Sequence, residues 1–489
     1  MREFDSNKKY ARVNLGKVLV LGLGKSGRAA ASYCADVLGS RVESLTVAAG
    51  AENGDVRTFA NELEGKGARV LFDVYDFDDS YDLAIASPGI SEFSDFYQNA
   101  LSHATEVISE VEFAWRESAR DSHWLAITGT NGKTTTTALA AHLLQTCGYK
   151  AAAVGNIGDT CLDAVAAGGT DYYVAEVSSY QLASTKDFCP DVAILLNITP
   201  DHIKWHKSME NYAAAKCKIY ANLSKNAGCV VMDATNDVVR TYVKQLKAIS
   251  DEERGFSYIP MGTCHGIRAN MRECCESTNS AYLAEGDVLT VELGDRKISL
   301  VSASELQIAG EHNASNALAA AAGVLALGCD PEQVREGLRS FKPLEHRIEP
   351  CGVVGGVRFY NDSKATNVDA TLKALAAFGE ERPIVLLGGD DKGTDLSELV
   401  SEANKHCKAV VCFGEAGPRF LAAFEQSVIP VFSADKMKDA LQVAFSHAVE
   451  GDIIVLSPAC ASFDEFSGFE ERGRVFKDLV SCLTDVSQA

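Results

Sequence analysis

The run Thr128-Gly129-Thr130-Asn131-Gly132-Lys133-Thr134-Thr135 joins small residues, one lysine and adjacent hydroxyls directly after an apolar stretch. That pattern suits a nucleotide phosphate. Small side chains let backbone N–H groups turn onto phosphate oxygens, and a helix opening there adds the positive end of its dipole. Lys133 can then reach the β- and γ-phosphates, and the Thr134 hydroxyl can ligate Mg²⁺. The standard loop carries a glycine five residues before Gly132, where this chain has Ile127; Gly129 takes that role in a shortened loop. A second glycine loop, Gly22-Leu23-Gly24-Lys25-Ser26-Gly27, follows another apolar run. It suits either tight packing or a diphosphate at a helix N-terminus. A dinucleotide fold also wants an acidic residue near the end of its second strand. Thr46, Val47 and Ala48 stand there, which disfavours NAD. Two glycine loops of different pattern imply two phosphorylated ligands, ATP and a nucleotide-linked substrate.

The elements that must carry these loops are legible as apolar runs, including residues 17–21, 124–127, 191–196, 383–387 and 452–456. Runs with little polar alternation indicate strands buried on both faces. Ala-rich helical patterns, such as residues 135–147 and 314–327, lie between them. This alternation implies an α/β fold with parallel sheets. A length of 489 residues suggests about three domains. Boundaries are expected near Val111 and near Phe341-Lys342-Pro343, giving 1–111, 112–342 and 343–489. Residues 234–304 read as hairpins and surface loops.

A net charge of −21 argues against a general nucleic-acid or anionic-membrane binder. No apolar run reaches 18 residues, so no membrane span is expected. Residues 1–10 are polar and lack a signal-peptide core, so a cytoplasmic protein is expected. The 15 cysteines lack CxxC spacing and read as free thiols. Cys264-His265 with Cys274-Cys275 matches no standard zinc spacing.

Further motifs carry a family resemblance. They are Gly155-Asn156-Ile157-Gly158, Glu176-Val177-Ser178-Ser179-Tyr180-Gln181-Leu182, Asn197-Ile198-Thr199-Pro200-Asp201-His202 and Gly310-Glu311-His312-Asn313-Ala314-Ser315-Asn316. His346-Arg347-Ile348-Glu349, Asn361-Asp362-Ser363-Lys364-Ala365-Thr366-Asn367, Gly388-Gly389-Asp390-Asp391-Lys392-Gly393 and the run from Leu456 through Ser462-Phe463 to Phe466 follow. With the loop at 128–135 they resemble the Mur ligases of peptidoglycan synthesis, in order and spacing from about residue 17 to 478. The resemblance implies an N-terminal Rossmann-like domain for the UDP moiety, a central P-loop ATPase domain with a mostly parallel sheet, and a C-terminal Rossmann-like domain for the incoming amino acid. The last three motifs are most similar to the member that adds D-glutamate. The implied reaction joins D-glutamate to UDP-N-acetylmuramoyl-L-alanine through an acyl phosphate, releasing ADP and phosphate, in a cytoplasmic monomer. Alternatives are a sister ligase, folylpolyglutamate synthase, an NAD-dependent oxidoreductase on the first glycine loop, or a non-catalytic nucleotide switch.

The resemblance also implies roles. ATP would be held by Gly129, Thr130, Asn131, Gly132, Lys133, Thr134 and Thr135, with Asn313 and Asn316 on the adenine side and Arg347 and Asp362 at the phosphates. Glu176, at a strand tip, would ligate a first Mg²⁺ with Thr134; His202 would ligate a second. Lys216 of Ala214-Ala215-Lys216 would be carbamylated and bind metal, with Lys218 a nearby competitor. Asp362, Lys364 and Thr366 alternate at period two, so an extended segment would aim them to one side. Lys364 would face the reacting groups. Thr366, Lys392, Ser462, Phe463 and Phe469 would hold D-glutamate, although Phe469 also reads as core. Gly24, Ser26, Gly89, Asn156 and Ser179 would face the UDP substrate. Two residues past His202 the family often carries an acid; here it is Lys204. Domain closure is expected of such a ligase.

Overall fold

The structure is a computed structural model that describes residues 3–486 apart from 53, 75, 264–274, 276, 309, 343, 344 and 392. The possible metal cluster at Cys264, His265 and Cys274, the boundary residue Pro343 and the candidate Lys392 therefore lie outside the described residues. Two compact units are formed, one from Met1–Leu306 with Ala314–Phe341, the other from Gln307–Asn313 with Lys342–Ala489.

The first unit holds two sheets. Strands β1 (Gly16–Leu21), β2 (Val42–Ala49), β3 (Arg69–Phe72), β4 (Leu83–Ala86) and β5 (Val107–Ser109) pair in parallel in the order β3-β2-β1-β4-β5. The order reverses between β1 and β4, the crevice where doubly wound sheets bind ligands. The glycine loop 22–27 leaves β1, and Ser87-Pro88-Gly89-Ile90 leaves β4. Sheet topology thus brings Gly24 and Gly89 to one edge.

The second sheet contains β6 (His123–Thr128), β7 (Ala151–Gly155), β8 (Tyr172–Glu176), β9 (Val192–Leu195), β10 (Cys229–Asp233), β11 (Ser257–Gly262), β12 (Ser280–Ala284), β13 (Val288–Leu293) and β14 (Arg296–Ser302). Their order is β14-β13-β12-β11-β10-β9-β6-β8-β7. Pairing is parallel from β7 to β12 and antiparallel across β12, β13 and β14. The stretch read as hairpins and loops thus contains that antiparallel meander, but also the parallel strand β11 and the amphipathic helix Asp237–Lys247. Strands β6 and β9 bury nearly every side chain, which explains their unbroken apolar runs. Val111 lies inside the buried helix Glu110–Glu117, and both sheets contribute to one hydrophobic cluster.

The second unit has one sheet of β15 (Glu349–Val354), β16 (Val357–Asn361), β17 (Ile384–Gly388), β18 (Ala409–Phe413), β19 (Val431–Ser433) and β20 (Ile453–Ala459), ordered β15-β16-β20-β17-β18-β19. Among these described strands, β15 and β16 pair antiparallel and the other neighbours pair in parallel. The central position of β20 between β16 and β17 brings the loops after residues 361, 388 and 459 together.

One sequence reading is corrected. Asp362, Lys364 and Thr366 do not continue an extended strand. β16 ends at Asn361, and the chain turns, with the Ala365 N–H donating to the Asp362 carbonyl at 2.9 Å and the Thr366 N–H to the Lys364 carbonyl at 2.9 Å. The turn replaces period-two alternation because β20, the strand's neighbour, claims the Asp362 backbone and side chain alike: the Asp362 N–H donates to the Leu456 carbonyl at 2.8 Å, and the Ser457 hydroxyl donates to the Asp362 carboxylate at 2.7 Å.

Candidate active site

The loop 128–135 connects β6 to the helix Lys133–Thr146, whose N-cap Gly132 has φ 84° and no side-chain cap. Gly24, the N-cap of helix Lys25–Asp36, likewise provides no side-chain cap. By contrast, Ser94, Ser109, Ser178 and Ser208 accept backbone N–H bonds at the starts of their helices. Both glycine loops therefore leave first-turn N–H groups for an anion.

Not every glycine in the first loop serves a ligand. A Cβ on Gly24 would meet nothing within 4 Å, so its backbone stays approachable, whereas one on Gly27 would lie 2.0 Å from the Gly22 carbonyl oxygen. Gly27→Ala must shift backbone, and is expected to cost about 1–3 kcal/mol, read from the urea midpoint. Lys25 Nζ donates to the Gly158 carbonyl at 2.6 Å, tying this loop to the Asn156 loop. Ser26 is partly exposed beside it.

At the second sheet, register sets Ile127 beside Glu176 and Thr128 beside Leu195. The phosphate loop, Glu176 and the segment 197–202 therefore share one sheet end. Asn197 braces the loop: its carbonyl accepts from the Thr130 N–H at 2.8 Å, and its amide side chain accepts from the Asn131 N–H at 2.9 Å. The Tyr212 hydroxyl is 2.9 Å from Thr130 Oγ1. Lys133 Nζ donates to the Gly129 and Thr130 carbonyls at 2.9 and 2.8 Å. Asn316, buried one turn after Asn313 on the helix Glu311–Ala326, overlies the loop: a Cβ on Gly132 would sit 2.3 Å from its Oδ1. Thr134 and Thr135 are buried.

Glu176 ends β8 and is buried. One carboxylate oxygen accepts from Asn156 Nδ2 at 2.9 Å; the other, Oε2, is buried with no hydrogen-bond partner among the described residues. A carboxylate oxygen left bare in the interior is costly unless a cation completes it. Lys216 is 2% exposed and donates to the Gly129 carbonyl at 2.7 Å. Burial first, then the Lys133 charge, pushes its ammonium well below the usual lysine range. Lys218 instead donates to the Ala183 carbonyl, so of these two lysines it is Lys216 that bonds the phosphate loop. His202 holds a left-handed φ of 54°, lies half-exposed 3.3 Å from Asp201 Oδ2, and packs its ring on Tyr180. Ser179 is buried, its hydroxyl 2.9 Å from His206 Nε2. Lys204 is exposed.

In the second unit, Asp362 is fully buried. Desolvation pushes its carboxyl up to about 7, against the pull of the Ser457 hydroxyl, the Arg347 charge, the Ile348 N–H and Arg472. Lys364 Nζ lies 5.1 Å from the centre of the Phe469 ring, which packs edge-on to His346. Ser462 is buried, whereas Phe463 is 70% exposed. The turn is pinned by Arg472, whose side chain donates to Ser363 Oγ and to the Ser363, Ala461 and Cys460 carbonyls at 2.8–3.1 Å.

Residues 127–324 match the Mur ligase middle domain, and residues 346–460 match the Mur ligase glutamate ligase domain. A UDP-N-acetylmuramoylalanine–D-glutamate ligase of Thermoanaerobacter pseudethanolicus is 36% identical over 476 residues, spanning 96% of this chain and 98% of that protein. This chain belongs to the Mur ligase family. The same-named protein of Koribacter versatilis is 35% identical, again over 96% and 98% of the two chains. Solved Mur ligase structures share the fold. A pseudomurein peptide ligase type C from Methanothermus fervidus aligns with TM-score 0.56 at 16% identity, over 96% of this chain and 100% of that one. A UDP-N-acetylmuramate–alanine ligase from Thermotoga maritima aligns with TM-score 0.54 at 18% identity, over 95% and 99%.

Within this Mur ligase, sequence reading passed over Asn197, Tyr212, Ser457 and Arg472 as site residues. Asn197 stood inside a quoted motif, and its amide suits a loop brace. Ser457 also stands inside a quoted motif, the run from Leu456 to Phe466, whereas nothing local marks Tyr212 and Arg472, whose partners lie far along the chain.

Proposed function

We propose that this chain is the ATP-dependent ligase that joins D-glutamate to UDP-N-acetylmuramoyl-L-alanine in peptidoglycan precursor synthesis. The observation that carries the reading is the phosphate loop with an uncapped helix N-terminus, flanked by buried Glu176 and buried Lys216. Near-full-length similarity to proteins named for D-glutamate supports the choice of amino acid.

Forming an amide from a carboxylate requires an activated acyl group, which ATP supplies as an acyl phosphate; the D-glutamate amine then attacks and phosphate leaves. Two anions must meet, so catalysis rests on positioning and charge. Residues 129–135 would cradle the triphosphate, with Lys133 turning from its carbonyl partners to the phosphates. Asn316 and Asn313 would bound the adenine. The bare Glu176 oxygen and the Thr134 hydroxyl are hard oxygen donors that fit Mg²⁺. Magnesium bound there supplies the charge neutralisation that lets carboxylate and triphosphate approach. His202 and Lys216 would serve a second ion. A lysine kept neutral by burial can add CO₂, turning an amine into a carboxylate-like donor.

On the UDP substrate, Gly24, Ser26 and Gly89 would hold the diphosphate side, supported by their shared sheet edge; Asn156 and Ser179 would hold the muramoyl side. On the second unit, Arg347 and Asp362 are assigned to the nucleotide, Lys364 to the reacting groups, and Thr366, Lys392, Ser462, Phe463 and Phe469 to D-glutamate. Segments 1–111, 112–342 and 343–489 would be the three ligand domains of one cytoplasmic monomer.

The test supplies ATP, Mg²⁺ and UDP-N-acetylmuramoyl-L-alanine with a panel of amino acids. Phosphate and ADP should appear with D-glutamate. Release with L-lysine or diaminopimelate alone would refute the assignment.

A further inference from the structure

Glu176 has one occupied and one bare carboxylate oxygen, and a single side chain decides which is which. Asn156 Nδ2 donates to Oε1 at 2.9 Å, while Oε2 stays buried with no hydrogen-bond partner among the described residues. A carboxylate only accepts, so the amide turns its nitrogen towards Glu176 and its Oδ1 away. Asn156 is exposed and Glu176 is buried, so one amide reaches from the surface to the interior carboxylate. The backbone fixes that amide. Strands β7 and β8 pair Gly155 with Glu176. The Asn156 N–H donates to the Glu176 carbonyl at 3.0 Å, and the Gly155 N–H to the Asp159 carbonyl at 2.8 Å. A Cβ on Gly155, whose φ is 95°, would lie 2.6 Å from the Glu176 carbonyl oxygen, so only glycine permits this approach. From the other side, Lys25 Nζ donates to the Gly158 carbonyl at 2.6 Å. The turn carrying Asn156 is therefore held both to the strand that ends on Glu176 and to the first glycine loop.

We propose that Asn156 is a positioning residue for the metal site: its amide holds the Glu176 carboxylate so that Oε2 alone is offered to a divalent cation. This rests on the assignment of Glu176 to Mg²⁺. A carboxylate with no such partner can rotate about its last side-chain bond and offer either oxygen, or both. The Asn156 bond removes that freedom and leaves one oxygen as a single hard donor. Outer hydrogen bonds of this kind orient metal ligands, and their loss costs about 10–100-fold in metal affinity. The role is additional to the contact with the muramoyl side. Oδ1 and the second amide hydrogen remain for the substrate, so substrate and metal would meet across one side chain.

The test measures ADP binding to the full chain by calorimetry, once with Mn²⁺ as the probe for Mg²⁺ and once with a chelator. The ratio of the two dissociation constants reads the metal site and cancels changes in the nucleotide pocket. Mn²⁺ should tighten ADP binding to the unaltered chain, and Glu176→Gln should remove most of that gain. Asn156→Ala and Asn156→Leu should each weaken the Mn²⁺-dependent binding about tenfold while metal-free ADP binding stays the same. With Glu176→Gln already present, Asn156→Ala should change the ratio no further. A full Mn²⁺ gain in both Asn156 variants, or a loss that appears equally with the chelator, would overturn the inference and leave the metal assignment standing. No gain in the unaltered chain, or a gain that survives Glu176→Gln, would overturn the metal assignment and this inference with it. Because Asn156 is exposed, both of its variants are expected to fold, and their urea midpoints check this. If one folds poorly, the other decides.

Discussion

Lys216→Ala is expected to lower kcat by about a thousandfold or more while leaving the fold intact. The substitution sits in the helix Met209–Cys217, beside Ala213, Ala214 and Ala215, and alanine is the best helix former. What it removes is the only amine bonded to the Gly129 carbonyl from outside the loop's own helix among the bonds described. The Lys216 side chain is costly to bury as an ammonium, with Lys133 adding repulsion. A chain that tolerates such a cost at the phosphate loop gains if the amine is used in its neutral form. Addition of CO₂ would make it a carboxylate-like group at the phosphate loop. Short carboxylates such as formate should therefore restore part of the activity to the alanine variant, and Lys216→Arg should not be active, because a guanidinium cannot add CO₂. Phosphate release, with circular dichroism as a control on folding, checks both. Full activity in Lys216→Ala would end the assignment. A loss that follows stability and ignores added carboxylate would mark Lys216 as structural.

The contrast between Lys216 and Arg472 shows which features a sequence displays. Residues 128–135 announce themselves because loop, lysine and helix start are contiguous, and the buried strands because hydrophobic runs are local. Glu176 was placed at a strand tip, and β8 does end on it. The choice between Lys216 and Lys218 was not local. It depends on which residue faces the loop from a helix that ends at Cys217, where a tighter turn over Lys218–Tyr220 takes over. The error at 362–366 has the same origin. Period two presumes the strand continues, and only the three-dimensional neighbour, Ser457, reveals that Asp362 is turned inward. Phe463 reads as a pocket residue beside Ser462, yet adjacent residues of a turning segment need not share an environment, and one is exposed while the other is buried. Sequence separations of 95 and 109 residues hide the pairing of Asp362 with Ser457 and of Ser363 with Arg472.

Arg472→Met carries the second large effect. Arg472 is fully buried, and burial first lowers its guanidinium to about 10, still cationic at neutral pH. Its planar fork serves one hydroxyl and three carbonyls from two loops: Ser363 on one side, Cys460 and Ala461 on the other. Methionine fills much of the stem's volume but donates nothing. The Ser363, Cys460 and Ala461 carbonyls would each lose a charged donor in the interior, and such losses run to about 1–3 kcal/mol apiece without adding fully. A net loss of roughly 3 kcal/mol is expected, read from urea unfolding. Lysine keeps the charge but not the fork, so Arg472→Lys should fall between the two. The kinetic signature should be selective. Ser363 precedes Lys364, and Ala461 precedes Ser462, so loosening the fork blurs residues assigned to the reacting groups and D-glutamate. At a temperature where the variant stays folded, KM for D-glutamate should rise about tenfold or more while KM for ATP changes little. Equal changes in both constants would mean Arg472 acts on the fold alone, and an unchanged urea midpoint would mean its four bonds contribute nothing net.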